Sequence, residues 1–137
     1  MATCLFVVLM QLLVMGKPVT WQEETVVLIS NEMPGEVLQL HCHSRDNDLG
    51  LQTLGYSSSY QFHFKTNIWG TTLFTCDFTS THHPESVGII VFQGRSYGFM
   101  PCEFHCNWVV TPNGFYLLGQ FEKPWPQDTN TNARTHT

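Results

Sequence analysis

Charge is scarce in this chain: Asp, Glu, Lys and Arg make up only 12% of its 137 residues, about half the share usual for a soluble domain. Ser, Thr, Asn, Gln and His must therefore do much of the work of keeping it in solution. Lys and Arg number six against eleven acids, scattered singly, for a formal net charge of −5. No basic stripe exists to neutralise phosphates, so nucleic-acid binding loses its main source of affinity. Strong attraction to anionic membrane surfaces is disfavoured for the same reason. Long apolar runs are nearly absent as well. The one candidate, Cys4 to Gly16, spans about a dozen residues and is broken by Gln11. A bilayer-spanning helix needs roughly 20, so stable membrane insertion is not expected.

That same run suits the apolar core of a secretory signal, with the small Gly16 before Lys17-Pro18 as a cleavage site. Residues 1–16 are thus expected to be a signal peptide and the protein to be extracellular. Cys4 would leave with it. The remaining four, Cys42, Cys76, Cys102 and Cys106, form an even set in a small exported chain, which implies two disulfides. Three connectivities are open. Nesting two long loops favours Cys42–Cys106 with Cys76–Cys102, and the four-residue spacing disfavours a direct Cys102–Cys106 bridge.

What is abundant is apolar alternation with period two. Hydrophobic residues reach 42% and aromatics 13%, enough for one packed core in a single domain. Thr25 to Ile29 is a β-branched run ending at a turn from Asn31 to Gly35. Leu38, Leu40 and Cys42 alternate with Gln39, His41 and His43. Tyr60, Phe62 and Phe64 repeat the pattern, as do Phe74, Cys76 and Phe78, and then Cys106, Trp108 and Val110. Leu51–Leu54 and Ile89–Phe92 add short strands. Asn113-Gly114, set between two apolar runs, is the strongest hairpin signal. About seven or eight short strands without an amphipathic helix predict an all-β, disulfide-linked antiparallel β-sandwich over residues 17–118. Residues 119–137 turn polar and repetitive, and read as a disordered tail.

Three cysteines fall on the apolar phase of their strands, so the bridges should belong to the core. The seven His and eleven acids offer raw material for acid–base work, but no nucleophile is read among them and an enzyme is not expected. Zinc is not expected either. On a strand His41 and His43 point away from Cys42, so they cannot converge on one ion. Asp46, Asn47 and Asp48 lack the later Gly and Glu of a helix-loop-helix calcium site and are ordinary turn formers. No cofactor is implied.

Three blocks carry a resemblance. Leu40 to Gly50 runs Leu-His-Cys-His-Ser-Arg-Asp-Asn-Asp-Leu-Gly. Tyr60 to Phe64 is followed by Asn67 to Phe78, which contains Trp69-Gly70-Thr71-Thr72-Leu73-Phe74-Thr75-Cys76. Cys102 to Val110 pairs two cysteines ahead of a Trp-containing strand. In this order they resemble the plant self-incompatibility family, the S-protein homologues, over roughly Val26 to Leu118. The resemblance implies a secreted, cysteine-bridged β-sandwich that acts as a ligand for a cell-surface receptor protein through variable loops. A secreted defensive or cytotoxic protein is the alternative. Some features depart from the family pattern. The strand Val87–Phe92 lacks its acidic residues, a further cysteine after the last strand is missing, and no Asn-x-Ser/Thr acceptor for glycosylation occurs.

Loops on a rigid sandwich are the natural contact surface. The expected partner-binding residues are Arg45, Asp46 and Asp48 in one loop, Thr79, His82, His83 and Glu85 in a second, and Arg95 in a third. The segment Thr79–Glu85 is the first choice. Trp69 has two readings, an exposed hot spot or a cap on the core with Gly70 supplying backbone freedom, of which the cap is favoured.

Overall fold

A computed structural model describes residues 24–127. The expected signal peptide and the end of the expected tail lie outside these residues. Nine strands follow in order: β1 (Glu24–Asn31), β2 (Leu38–His43), β3 (Asp48–Leu54), β4 (Ser59–Lys65), β5 (Leu73–Ser80), β6 (Val87–Gln93), β7 (His105–Thr111), β8 (Gly114–Leu117) and β9 (Gln120–Lys123). A three-residue 3₁₀ turn, Arg95–Tyr97, follows β6. One sheet has the order β4-β1-β7-β8-β9 and the other β3-β2-β5-β6. The sandwich read from the alternation is therefore present.

The alternation does what period two requires. Val27 and Ile29 of β1 pack with Cys106, Trp108 and Val110 of β7 and with Phe115 of β8. Facing them are Leu38, Leu40 and Cys42 of β2, Phe74, Cys76 and Phe78 of β5, and Ile89 and Val91 of β6. All are at most 5% exposed. Their partners on the other phase, His41, His43 and His63 among them, reach the surface.

One pairing departs from the antiparallel pattern. β1 lies between β4, antiparallel to it, and β7, parallel to it, with Val27 beside Cys106 and Ile29 beside Trp108. Edge strand β6 also reads differently from its sequence. A register shift between Phe74 and Thr75 lets both Val91 and Phe92 point inward while Ile90 stays half exposed. The open side of β6 is blunted by side chains of the other sheet: the Trp108 indole donates to the Val91 carbonyl at 3.0 Å and Lys123 to that of Gly88 at 3.4 Å.

The disulfides require a correction. Cys42 bonds to Cys76, and Cys102 to Cys106. Cys42 and Cys76 are direct partners across the antiparallel β2–β5 pair, whereas Cys106 lies in the opposite sheet. Nested long loops would have had to pull residues off their strands. Cys102 sits where the chain doubles back into β7, which brings it within 5.4 Å of Cys106, Cα to Cα.

In the loop-entropy account the 34-residue separation of the first bridge is worth about 4 kcal/mol and the four-residue separation of the second about 2 kcal/mol. Replacing Cys42 and Cys76 together by Ala should therefore lower stability about twice as much as replacing Cys102 and Cys106. Denaturant titration of the two double variants checks the order.

The tail is corrected too. Chain past Gly119 forms β9 against β8, and Trp125 beyond it is only 5% exposed. Its ring stacks on His83 at 4.5 Å and packs on Phe115, and its indole N–H donates to the Thr111 carbonyl at 2.8 Å. The domain thus extends past residue 118 to at least Trp125.

Candidate functional loops

The connections gather at two opposite ends, roughly 25 Å apart by the rise of an eight-residue strand. One end carries the turn after β2, the connection from β4 to β5 and the connection from β6 to β7. The other carries the turns after β1 and β3, the loop from β5 to β6, and the Trp125 strap.

The expected partner-binding residues do not form one surface. Arg45, Asp46, Asp48 and Arg95 lie at the first end, and Thr79, His82, His83 and Glu85 at the second or on the strand leading to it. Much of the second group is engaged internally. Thr79 belongs to β5 beside Gln39, and the His83 ring is taken up by Trp125. Glu36, 5% exposed, accepts from the Ser80 hydroxyl at 3.0 Å and from the His82 backbone N–H at 3.2 Å.

Burial pushes the Glu36 carboxyl pKa up, but the hydrogen bonds from His82 and Ser80 and the charge of His82 together pull it below its ordinary value. A depressed folded-state pKa means the contribution is present above the unfolded value and lost as pH falls through the folded one. Stability should therefore decline on the acid side of the usual carboxylate range, and Glu36→Gln should flatten that part of the profile. Thermal unfolding across that range is the measurement.

Buried Asn31 belongs to the same end. Its amide donates to the Glu36 and Leu54 carbonyls, both at 3.0 Å, and its side-chain oxygen accepts from the Met33 N–H at 2.9 Å. One side chain thus ties the turn after β1 to the end of β3, though in the sequence it reads as the start of an ordinary turn.

The first end is built differently. The β4–β5 and β6–β7 connections clasp each other. Arg95 donates to the Ile68 carbonyl at 2.8 Å, the Ser96 hydroxyl to that of Gly70 at 2.6 Å, and the Tyr97 hydroxyl to that of Thr71 at 3.2 Å. Glycines make this approach feasible. A Cβ on Gly94 would run into the Gly70 backbone, and Gly70 itself has φ +70.

Gly94-Arg95-Ser96-Tyr97-Gly98 fits the Gly-x-Ser-x-Gly pattern of a nucleophile elbow, which the reading of the His and acids above passes over. That motif acts at a strand-to-helix turn. Here a three-residue 3₁₀ turn follows the edge strand, and the Ser96 hydroxyl is spent on the clasp.

Trp69 does not cap the core. It is 74% exposed, Phe99 79% and Ile68 68%, the three most exposed large apolar side chains among the described residues. Beside them a cleft of about 540 Å³ is lined by His43, Arg45, Asp46, Lys65, Asn67 and Tyr97, among others. Three of the four Lys and Arg among the described residues, Arg45, Lys65 and Arg95, sit at this end. Every ion pair found among the described residues uses a His, so none of the three is neutralised by an acid. On the adjoining sheet face His41 pairs with Asp48, and His43 with Asp77 at 3.3 Å. The N–H of Gly50 and then His41 hold the Asp48 carboxyl below its ordinary pKa.

A family model described as plant self-incompatibility protein S1 matches residues 26–130. The chain belongs to that family. S-protein homolog 3 of Arabidopsis thaliana is 48% identical over 120 residues, covering 85% of this chain and 80% of the relative. S-protein homolog 5 of the same plant is 35% identical over 111 residues, covering 81% and 83%. The fold has a solved counterpart among SPH (self-incompatibility protein homologue) proteins, described as a widespread family of small, highly stable, secreted proteins from plants. It has a TM-score of 0.56 and 18% identity, covering 77% of this chain and 93% of that one. In this chain the blocks around Asp48-Leu49-Gly50 and Trp69-Gly70-Thr71-Thr72 adjoin the turn and form part of the clasp that build the first end.

Proposed function

We propose that the protein is a secreted ligand of the plant self-incompatibility family. It binds a cell-surface protein through the clasped end of the sandwich and performs no catalysis. The observation that carries this reading is the cleft at that end, where Arg45 and Lys65 stand without acidic partners in an otherwise acidic molecule. A receptor segment bearing carboxylates would meet complementary charge there, which favours fast and selective encounter.

Export is supported by the apolar run at Cys4–Gly16 and by the two disulfides, which persist in an oxidising compartment.

The labelled protein should bind saturably to plant protoplasts, and protease treatment of the cells should abolish the saturable part. Arg45→Glu combined with Lys65→Glu should weaken it about tenfold while leaving thermal unfolding unchanged. Saturable binding that survives both treatments would overturn the reading.

A further inference from the structure

Trp69, Phe99 and Ile68 are left unexplained by a charged cleft. They are carried by the two clasped loops, and Tyr97 of the same loops, itself 49% exposed, lines the cleft. Exposed apolar side chains scattered singly need no explanation, but a cluster at one end of a small domain does. Three of its features are independent of one another.

The first is chemical. Trp, Tyr and Phe are the side chains that settle at the level of lipid headgroups, with an apolar body and, in Trp and Tyr, a polar handle. The second concerns the backbone. A loop entering an apolar boundary must not carry unpaired polar groups with it. Here the Ile68, Gly70 and Thr71 carbonyls are taken by Arg95, Ser96 and Tyr97, and the Phe99 carbonyl by the Gln93 side chain, whereas the Trp69 N–H and carbonyl have no protein partner among the described residues and must stay at hydrated headgroup depth. The Gly70 N–H is spent on Asn67. The third is charge. Arg45, Lys65 and Arg95 flank the tips, so a molecule of net charge −5 presents at this one end three of the four Lys and Arg among its described residues.

We infer that these tips dock reversibly on the outer leaflet of a membrane, with the aromatic side chains at headgroup depth and the flanking cations against lipid phosphates. This is shallow seating, not insertion of a spanning segment. It goes beyond the receptor reading, because it would bring the ligand to its partner along a surface instead of through solution.

The test uses protein expressed from the full chain and sedimented with vesicles of phosphatidylcholine alone, or of phosphatidylcholine with one quarter phosphatidylserine. Binding is expected to both, stronger to the second, with only the gain from phosphatidylserine removed by salt. Trp69→Ala and Phe99→Ala should each reduce partitioning about tenfold. Read in a Trp21→Phe background, tryptophan emission should shift blue on binding, and Trp69→Phe should lose most of that shift while still binding, since the remaining Trp108 and Trp125 are already buried.

Absence of sedimentation with either vesicle overturns the proposal. So does binding that is indifferent to Trp69 and Phe99, which would be a purely electrostatic contact. A concentration-dependent dimer in ultracentrifugation that is lost in the two variants would assign the tips to a second copy and overturn it too. Vesicle-indifferent variants that lose the protease-sensitive binding to cells would assign the tips to the receptor interface, sinking this inference while leaving the proposed function standing.

Discussion

Replacing Trp125 by Ala is expected to lower the unfolding free energy by about 4 kcal/mol. The indole is 5% exposed, lies flat on His83 with its plane 4° from the imidazole, and packs on Phe115. Truncation removes this contact surface and leaves a hole between the β5–β6 loop and β8. It also strips the Thr111 carbonyl of its donor, and an unpaired carbonyl adds a cost of its own. Ending the chain after Gly119 should cost at least as much, because β9 goes as well. Urea titration of the two variants beside the parent decides the matter. A truncated chain as stable as the whole would restore the reading of residues 119–137 as a tail.

Asn31→Leu should be larger still, about 5 kcal/mol, enough to unfold a protein of ordinary stability. Leucine shares the γ-branched shape of asparagine and is larger, so no cavity is created, though overpacking adds to the cost. The loss comes from three backbone groups left without partners in a fully buried site: the Met33 N–H and the Glu36 and Leu54 carbonyls. Thr25→Val is the control. Thr25 is also buried, but its hydroxyl makes a single long contact of 3.3 Å to the Glu103 carbonyl, and about 1 kcal/mol is expected. Equal effects of the two substitutions in thermal unfolding would show that the Asn31 network does not hold the turns together.

Those two residues also show where the sequence was legible. Inward phase could be read wherever alternation ran uninterrupted, as at Leu40 and Cys42, at Phe74, Cys76 and Phe78, and at Cys106, Trp108 and Val110. The sandwich follows from those runs. Asn31 could not be read, because a buried Asn and a turn-forming Asn are the same letter until the partners 5 and 23 residues away are in place. β9 hid for the opposite reason. All four of its residues are exposed, so it has no apolar phase to detect.

Disulfide partners depend on which strands become neighbours. The spacing argument weighed loop length and could not see that β2 and β5 lie side by side. The loop residues of the candidate site were legible one at a time, as Arg45 and Arg95 were, but their division between two ends was not. The reading of Trp69 as a cap on the core fails because its loop is held by the Gly70–Gly94 approach with the indole 74% exposed.

The parallel pairing of β1 with β7 bears on how the chain assembles during synthesis. The strands β2, β3, β5 and β6 and the cysteines at 42 and 76 are complete once Gln93 has emerged, so the second sheet can pair and oxidise early. The first sheet cannot close then, since β1 must wait for a partner 79 residues downstream, Val27 for Cys106. Long-range pairing of this kind is slow. Until it forms, β1 holds Val27 and Ile29 with an open edge, in a compartment crowded with other unfinished chains. The early Cys42–Cys76 bond would then serve as a finished template on which the late strands condense, and the Cys102–Cys106 ring would seal the order of events.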